Sequence, residues 1–390
     1  MPKFPHAAKR LLTGSRLFGF VACVLLCTAG SFALADDTLT VTPAVSAREM
    51  YDSNVYMAGK GDMEHSLSPS LKINLDKERV RGYISGQANI YRYSSLSDYD
   101  RTDQKYDAFM EVNATERVRA SMTAGAVVDH TFSSTLENTG QIAQLTLREV
   151  YGVQPSLTFD VTERNTATIF GGYTQTRYGS TIYADSNTTS YGGRWGYQLS
   201  ERTQAIAQIS RTKIEQDSAH QSVISTLGGF EYKLTELLKL RLLGGMSSMQ
   251  STNTLGQDSS RNGFSADTSV EWRVDETSTL SASYNRDMTS GLNGEDIVRD
   301  RYSIFGAKKL TEKLQVLLNG NMVLSKISAS NNSGSTSNTR WMEISPQAQY
   351  QIFEHSTLAL GYGYGAQKVD ETGVTKERNQ VFLNFSISFP

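Results

Sequence analysis

Cysteine is almost missing from this sequence: the two copies, Cys23 and Cys27, both precede Asp36. The chain beyond that point therefore excludes disulfides, thiolate metal sites and Cys-x-x-Cys-His haem attachment. Proline is scarce, at seven residues, so long extended segments run without interruption. Histidine is equally thin, with His65, His130, His220 and His355 alone beyond residue 35. No apolar run past residue 35 approaches the roughly 20 residues that a membrane-crossing helix needs. A basic surplus is missing as well. From residue 36 onward 34 basic residues face 40 acidic ones, a net charge of −6, which argues against a nucleic-acid partner.

What is present begins with a basic leader, Lys3, Lys9, Arg10 and Arg16, followed by an apolar core from Leu17 to Ala29 and the small-x-small triplet Ala33-Leu34-Ala35. That layout predicts a secretory signal peptide over 1–35, cut after Ala35. Residues 36–390 are then the mature domain.

In the mature part, apolar and polar residues alternate from end to end. Leu67, Pro69, Leu71, Ile73 and Leu75 interleave with Ser66, Ser68, Ser70, Lys72 and Asn74. Met342, Ile344, Ala348, Tyr350 and Ile352 interleave with Glu343, Ser345, Gln347, Gln349 and Gln351. Strands place alternate side chains on opposite faces, so each segment has one apolar and one polar wall. A soluble sandwich shares that pattern. Its strands, however, average about five or six residues, far shorter than these runs. The outcome expected is an all-β, transmembrane, antiparallel up-and-down β-barrel.

The strand count comes from a repeat. An apolar residue, then Thr, Ser or Asp, then Glu recurs at Val161-Thr162-Glu163, Leu199-Ser200-Glu201, Leu234-Thr235-Glu236, Val274-Asp275-Glu276 and Leu310-Thr311-Glu312. Weaker copies lie at 75–78, 114–116 and 353–355. These residue types suit short hairpin turns. Eight such turns predict 18 strands, with 16 or 20 if one hairpin is miscounted, and both termini at the turn end. The C-terminal strand alternates Val381, Leu383, Phe385, Ile387 and Phe389 with polar residues, as outer-membrane barrels typically do. No loop stands out as a constriction loop, so the lumen is expected to be open or filled by another molecule.

Catalysis finds little support. Asp129-His130 is the one suggestive pair, but neighbours in a strand point to opposite faces. No helix carries His-x-x-x-His and no glycine-rich phosphate loop follows a strand. Neither an enzyme, a cofactor nor a metal is expected. The informative surface is the inner wall. Alternation assigns it Lys72, Arg81, Lys105, Arg119, Arg148, Arg194, Lys233, Lys239, Arg241, Arg273, Arg299 and Arg301, against Asp107, Glu111, Asp129, Glu231, Asp267, Glu271 and Glu343. Twelve against seven predicts a cationic lean, which concentrates anions in a low-dielectric passage. Inward Tyr83, Tyr91 and Phe109 offer faces for sugar rings.

Tyr51-Asp52-Ser53-Asn54-Val55 is similar to the aromatic–acid–Asn–apolar signature of a family of outer-membrane β-barrel porins. The run from Arg148 to Pro155, continuing through Leu157-Thr158-Phe159 to the Thr162-Glu163-Arg164 turn, resembles it too. The resemblance implies a barrel in the bacterial outer membrane, in contact with its lipid. It also implies exopolysaccharide biosynthesis and export, with periplasmic polysaccharide-export proteins as partners. A diffusion porin for small solutes and a scaffold barrel sheathing a multihaem cytochrome are the other readings. The oligomeric state is open.

Overall fold

The computed structural model describes residues 39–389, apart from 218, 254, 255, 257 and 329–335. The expected leader with its cleavage after Ala35, and the terminal Pro390, lie outside the described residues. Strands β1 (Leu39–Asp52), β2 (Asp62–Lys77), β3 (Val80–Tyr93), β4 (Arg101–Thr115), β5 (Val118–His130) and β6 (Leu147–Thr162) form the first third. They are followed by β7 (Asn165–Tyr178), β8 (Ser186–Ser200), β9 (Thr203–Gln216), β10 (Ala219–Lys233), β11 (Leu238–Asn253) and β12 (Asp258–Arg273). The last third is β13 (Ser278–Ser290), β14 (Asp296–Lys309), β15 (Leu314–Ser328), β16 (Thr336–Phe353), β17 (Ser356–Val369) and β18 (Thr375–Ser388). Among the described residues one α-helix, α1 (Thr131–Thr139), stands between β5 and β6.

Every strand pairs antiparallel with its sequence neighbours, and β1 pairs with both β2 and β18, closing an 18-stranded barrel. Closure leaves no edge strand to pair with another chain. The outer face carries the apolar rows. Val381, Leu383 and Phe385 are exposed there, as are Ile209, Met246 and Phe264 on the far side of the barrel. Among the described residues no helix is long and apolar enough to cross a membrane.

The turn repeat has a local cause. In each copy the Thr, Ser or Asp oxygen accepts the backbone N–H two residues on: Thr162 from Arg164 at 3.3 Å, Ser200 from Arg202 at 3.3 Å, Thr235 from Leu237 at 3.2 Å, Asp275 from Thr277 at 2.7 Å and Thr311 from Lys313 at 3.3 Å. A side chain mimicking a backbone turn in this way fixes the reversal within a few residues. The apolar residue before it, such as Leu199 or Val161, stays on the outer face.

Candidate functional site

The strand alternation puts the twelve anticipated cations opposite the apolar rows, eleven on the inner wall and Arg299 on a hairpin tip that leaves it. Six are neutralised by an acid on the same or the next strand. Arg81 meets Glu111 at 2.5 Å, Lys105 Asp107 at 3.3 Å and Arg148 Asp129 at 2.7 Å. Lys239 meets Glu231 at 3.1 Å, Arg241 Asp267 at 3.2 Å and Arg299 Asp287 at 2.5 Å. Lys72 lies over the Tyr83 ring and Arg194 donates to Gln208. Arg119, Lys233, Arg273 and Arg301 have no ion-pair partner among the described residues. Six of the twelve are thus paired with an acid and six are not. His130 turns to Asp103 at 2.8 Å while Asp129 holds Arg148, so the adjacent Asp129-His130 pair forms no dyad.

The expectation of a lumen without a constriction loop is corrected by two segments that fold inward. The first is 131–146, the longest connection. Phe132 and Leu136 of α1, one helical turn apart, cluster with Val323 on β15, Trp341 on β16 and Met57. Val323 and Trp341 sit on the inner wall, and Trp341 is 0% exposed. The loop thus leaves β5, crosses the lumen and docks on the far wall. Its end is tied down: Thr339 Oγ1 donates to the Thr139 carbonyl at 3.3 Å and Gln367 Nε2 to the Gly140 carbonyl at 3.3 Å. Gly140 closes α1 with φ of 68°, the left-handed cap that a residue without Cβ takes at little cost.

The second segment is the tip of the β13–β14 hairpin. Pairing of β12 with β13 stops at Ala266–Arg286, although both strands continue. Beyond that point the hairpin leaves the wall and tucks behind β10–β12. Its outer-row residues Met288 and Val298 pack against Val223 and Met249 of the inner wall. Gln221 Nε2 donates to the Gly294 carbonyl and to Asp296 Oδ1, both at 2.9 Å, and Gln216 Nε2 to the Gly291 carbonyl at 3.1 Å. The two inward segments meet where Arg299 Nη1 donates to the Asn138 carbonyl at 2.9 Å.

Against the inner wall, lined by β16, β18, β1, β2, β3, β4 and by Val55 and Tyr56, lies a cavity of about 490 Å³. Three arginines that the sequence reading did not single out line it: Arg48, Arg101 and Arg378. Arg101 stacks on Tyr91, 4.0 Å to the ring centre, and donates to the hydroxyls of Tyr93 at 3.1 Å and of Tyr56. Tyr93 in turn donates to Glu64 at 2.6 Å. Arg378 reaches Glu343 at 3.6 Å from two strands away. It can do so because Gly365 lies between them in register; a Cβ there would stand 2.5 Å from the Trp341 ring. Gly361 does the same for Phe382, whose ring would be 2.2 Å from an added Cβ.

The Tyr51–Val55 motif anchors the rim of this cavity. Asp52 accepts from the Asn54 backbone at 2.8 Å and from Gln380 Nε2 at 2.8 Å, while Asn54 donates to the Glu377 carbonyl at 2.6 Å. The next residues, Tyr56 and Met57, are held at φ of 52° and 56°, a left-handed conformation unfavourable for side chains of this size. It is compensated by burying Met57 in the α1 cluster and by stacking Tyr56 edge-on to Phe132. Glu137 on α1 is open to lumen water yet ringed by protein. That burial, and next the Glu343 charge, lift its carboxyl above the usual range, against the pull of Arg378 and Arg148. Among the described residues no group of three His, Cys, Asp or Glu is placed to hold a metal ion.

No family model matches the chain, and no curated protein matches it. Solved structures share the barrel architecture. The FrpB iron transporter of Neisseria meningitidis (F3-3 variant) is 11% identical with a TM-score of 0.47, over 86% of this chain and 62% of that one. This chain thus spans under two thirds of that transporter's length. OccAB2 of Acinetobacter baumannii is 11% identical with a TM-score of 0.47, over 90% of this chain and 98% of the other. OprD of Pseudomonas aeruginosa is 11% identical with a TM-score of 0.46, over 92% and 97%. At these values the likeness concerns architecture, and no residue role is taken from it.

Proposed function

We propose that the protein is a channel of the bacterial outer membrane that passes small polar solutes through a mouth narrowed by its own inward loops. The observation carrying this reading is a closed barrel with an apolar exterior whose lumen is crossed, but not filled along its length, by 131–146 and the β13–β14 tip. An 18-stranded barrel is wide enough to enclose water. The outward row of β16 runs from Met342 to Ile352. At about 3.3 Å per residue and a tilt of roughly 40°, it covers about 25 Å, the height of an outer-membrane apolar band. By the same pattern the short turns face the periplasm and the loops the exterior.

Export of an exopolysaccharide, which the short motifs imply, asks a polymer to thread past both inward segments, and the geometry favours a monomer-sized solute. A sheathed cytochrome would need the lumen space that Phe132, Leu136 and the hairpin tip occupy. Planar-bilayer conductance tests the proposal. The parent should conduct, and replacing 132–145 by a short Gly-Ser linker should raise the conductance severalfold. Absence of current in both forms would overturn it.

A further inference from the structure

We infer that the outer face of β8, β9 and β10 holds the phosphate of an outer-leaflet glycolipid between Arg211 and Lys213. The inference rests on the membrane placement of the barrel, not on what its lumen passes. The outer row of β9 is apolar through Ala205, Ala207 and Ile209, then turns to Arg211 and Lys213. Ile209 is 57% exposed, so the change from lipid-facing to charged takes one step along the row. On the three preceding strands the same face carries Tyr151, Tyr173 and Tyr191, all exposed, and Tyr191 stands opposite Arg211 in register. Aromatic girdles of this kind mark the boundary between hydrocarbon and headgroups. The two cations thus sit where the phosphates of the leaflet lie.

Neither Arg211 nor Lys213 makes an ion pair with a described residue. On the same outer rim Arg92, Arg177 and Arg340 each face an aspartate: Asp100 at 3.7 Å, Asp185 at 3.5 Å and Asp370 at 3.2 Å. Glu215 ends the β9 row one step further out, opposite His220 in register, and pairs with neither cation. Arg211 is held in orientation, because its Nε donates to Ser222 Oγ at 3.0 Å, and both Nη groups are left for an acceptor. Lys213 is flanked in register by Thr189 and Ser222, hydroxyls that donate as well as accept. Two cations with hydroxyls beside them match a phosphate, to which Arg offers a fork and Lys a point charge. The acyl chains of the same molecule have exposed Tyr191, Ile209 and Ile224 beside and below the cations, a surface that a free phosphate does not use.

Native mass spectrometry of the folded protein, stripped of lipid in detergent, tests this with diphosphoryl lipid A, the same lipid without its phosphates, and inorganic phosphate as probes. Diphosphoryl lipid A should bind at least about tenfold more tightly than the dephosphorylated form. Arg211→Gln with Lys213→Gln should abolish that preference. Arg92→Gln with Arg177→Gln takes the same charge from paired positions and should keep it; heat-modifiable mobility confirms that each variant is folded. Inorganic phosphate in large excess should leave the lipid bound. A preference that survives in the Arg211 and Lys213 variant, or is lost equally in the Arg92 and Arg177 variant, would overturn the assignment. Displacement by inorganic phosphate would overturn it too, since the site would then take a free anion and not a lipid.

Discussion

The two ends of the barrel are built on different physics. At one end eight turns of two or four residues each close a hairpin, and six of them are set by an oxygen reaching two residues along its own chain. At the other end, the connection 131–146 is placed by Trp341 and Val323, residues roughly two hundred positions away in the sequence. The turn end is local chemistry repeated. The mouth is tertiary packing, used once, with strained Tyr56 and Met57 as part of its cost. The difference teaches where variation can enter: the turns fix the strand count, and the loops set how much of the lumen is occupied.

Breaking the mouth should leave the turn end intact. Trp341→Ala removes the fully buried ring under α1, a change costing about 3–5 kcal/mol in a packed core. Because the barrel ladders remain, the loss should appear as release of 131–146. Limited proteolysis should cut that loop, while the unboiled protein still runs as a folded barrel on gels. Global unfolding instead would mean that the two ends are one cooperative unit.

The outer wall near the turn end gives the next effect. Phe385→Arg places a charge on the apolar row toward the turn end, at a cost below the about 2–4 kcal/mol of a charge at mid-membrane depth. Arg at the inward neighbour Asn384 should be tolerated for assembly. Urea titration in lipid vesicles compares the two, and equal stability would mean that the register is wrong.

Smaller still is a single turn. Thr162→Ala removes one exposed oxygen that accepts from Arg164 and Asn165, and Thr311→Ala one that accepts from Lys313 and Leu314; each such bond is worth about 0.5–1.5 kcal/mol, and the loss should slow refolding or shift the urea midpoint without altering conductance. A change in conductance would tie the turns to the mouth.

The smallest effect concerns Glu137. Its raised carboxyl means that the folded state holds a proton more tightly than the unfolded chain. The stability gained from that proton is present in acid and lost as pH rises through the raised value. Glu137→Gln should therefore protect 131–146 from protease relative to the parent at neutral pH, with no difference in acid. Greater protection of the parent at neutral pH would reverse the sign.

How much of this was legible in the sequence follows the same division. Period-two alternation, the Thr/Ser/Asp–Glu turns and the alternating C-terminal strand sufficed for 18 strands and both termini at one end, because each is a short-range signal. The inward loop escaped because its length alone, 16 residues, does not say where it goes. A signal was there: Phe132 and Leu136 at helical spacing in a polar loop, ahead of Gly140, with apolar Val323 and Trp341 on the inner wall. Arg48 and Arg378 obey the same alternation as the anticipated cations. Their distinction, one paired across a glycine and one in no ion pair among the described residues, depends on neighbours that no local reading supplies.

The central claim is that 131–146 crosses the lumen and docks on β16. Beyond residue 27 the chain has no cysteine, so a pair can be introduced there without background from the barrel. Thr139→Cys with Thr339→Cys joins positions already in hydrogen-bond contact. Oxidation in intact cells should link them, giving a band of altered mobility that reductant removes, while either single variant gives none. Two free thiols in the double variant, both labelled by a bulky maleimide added from outside, would contradict the account.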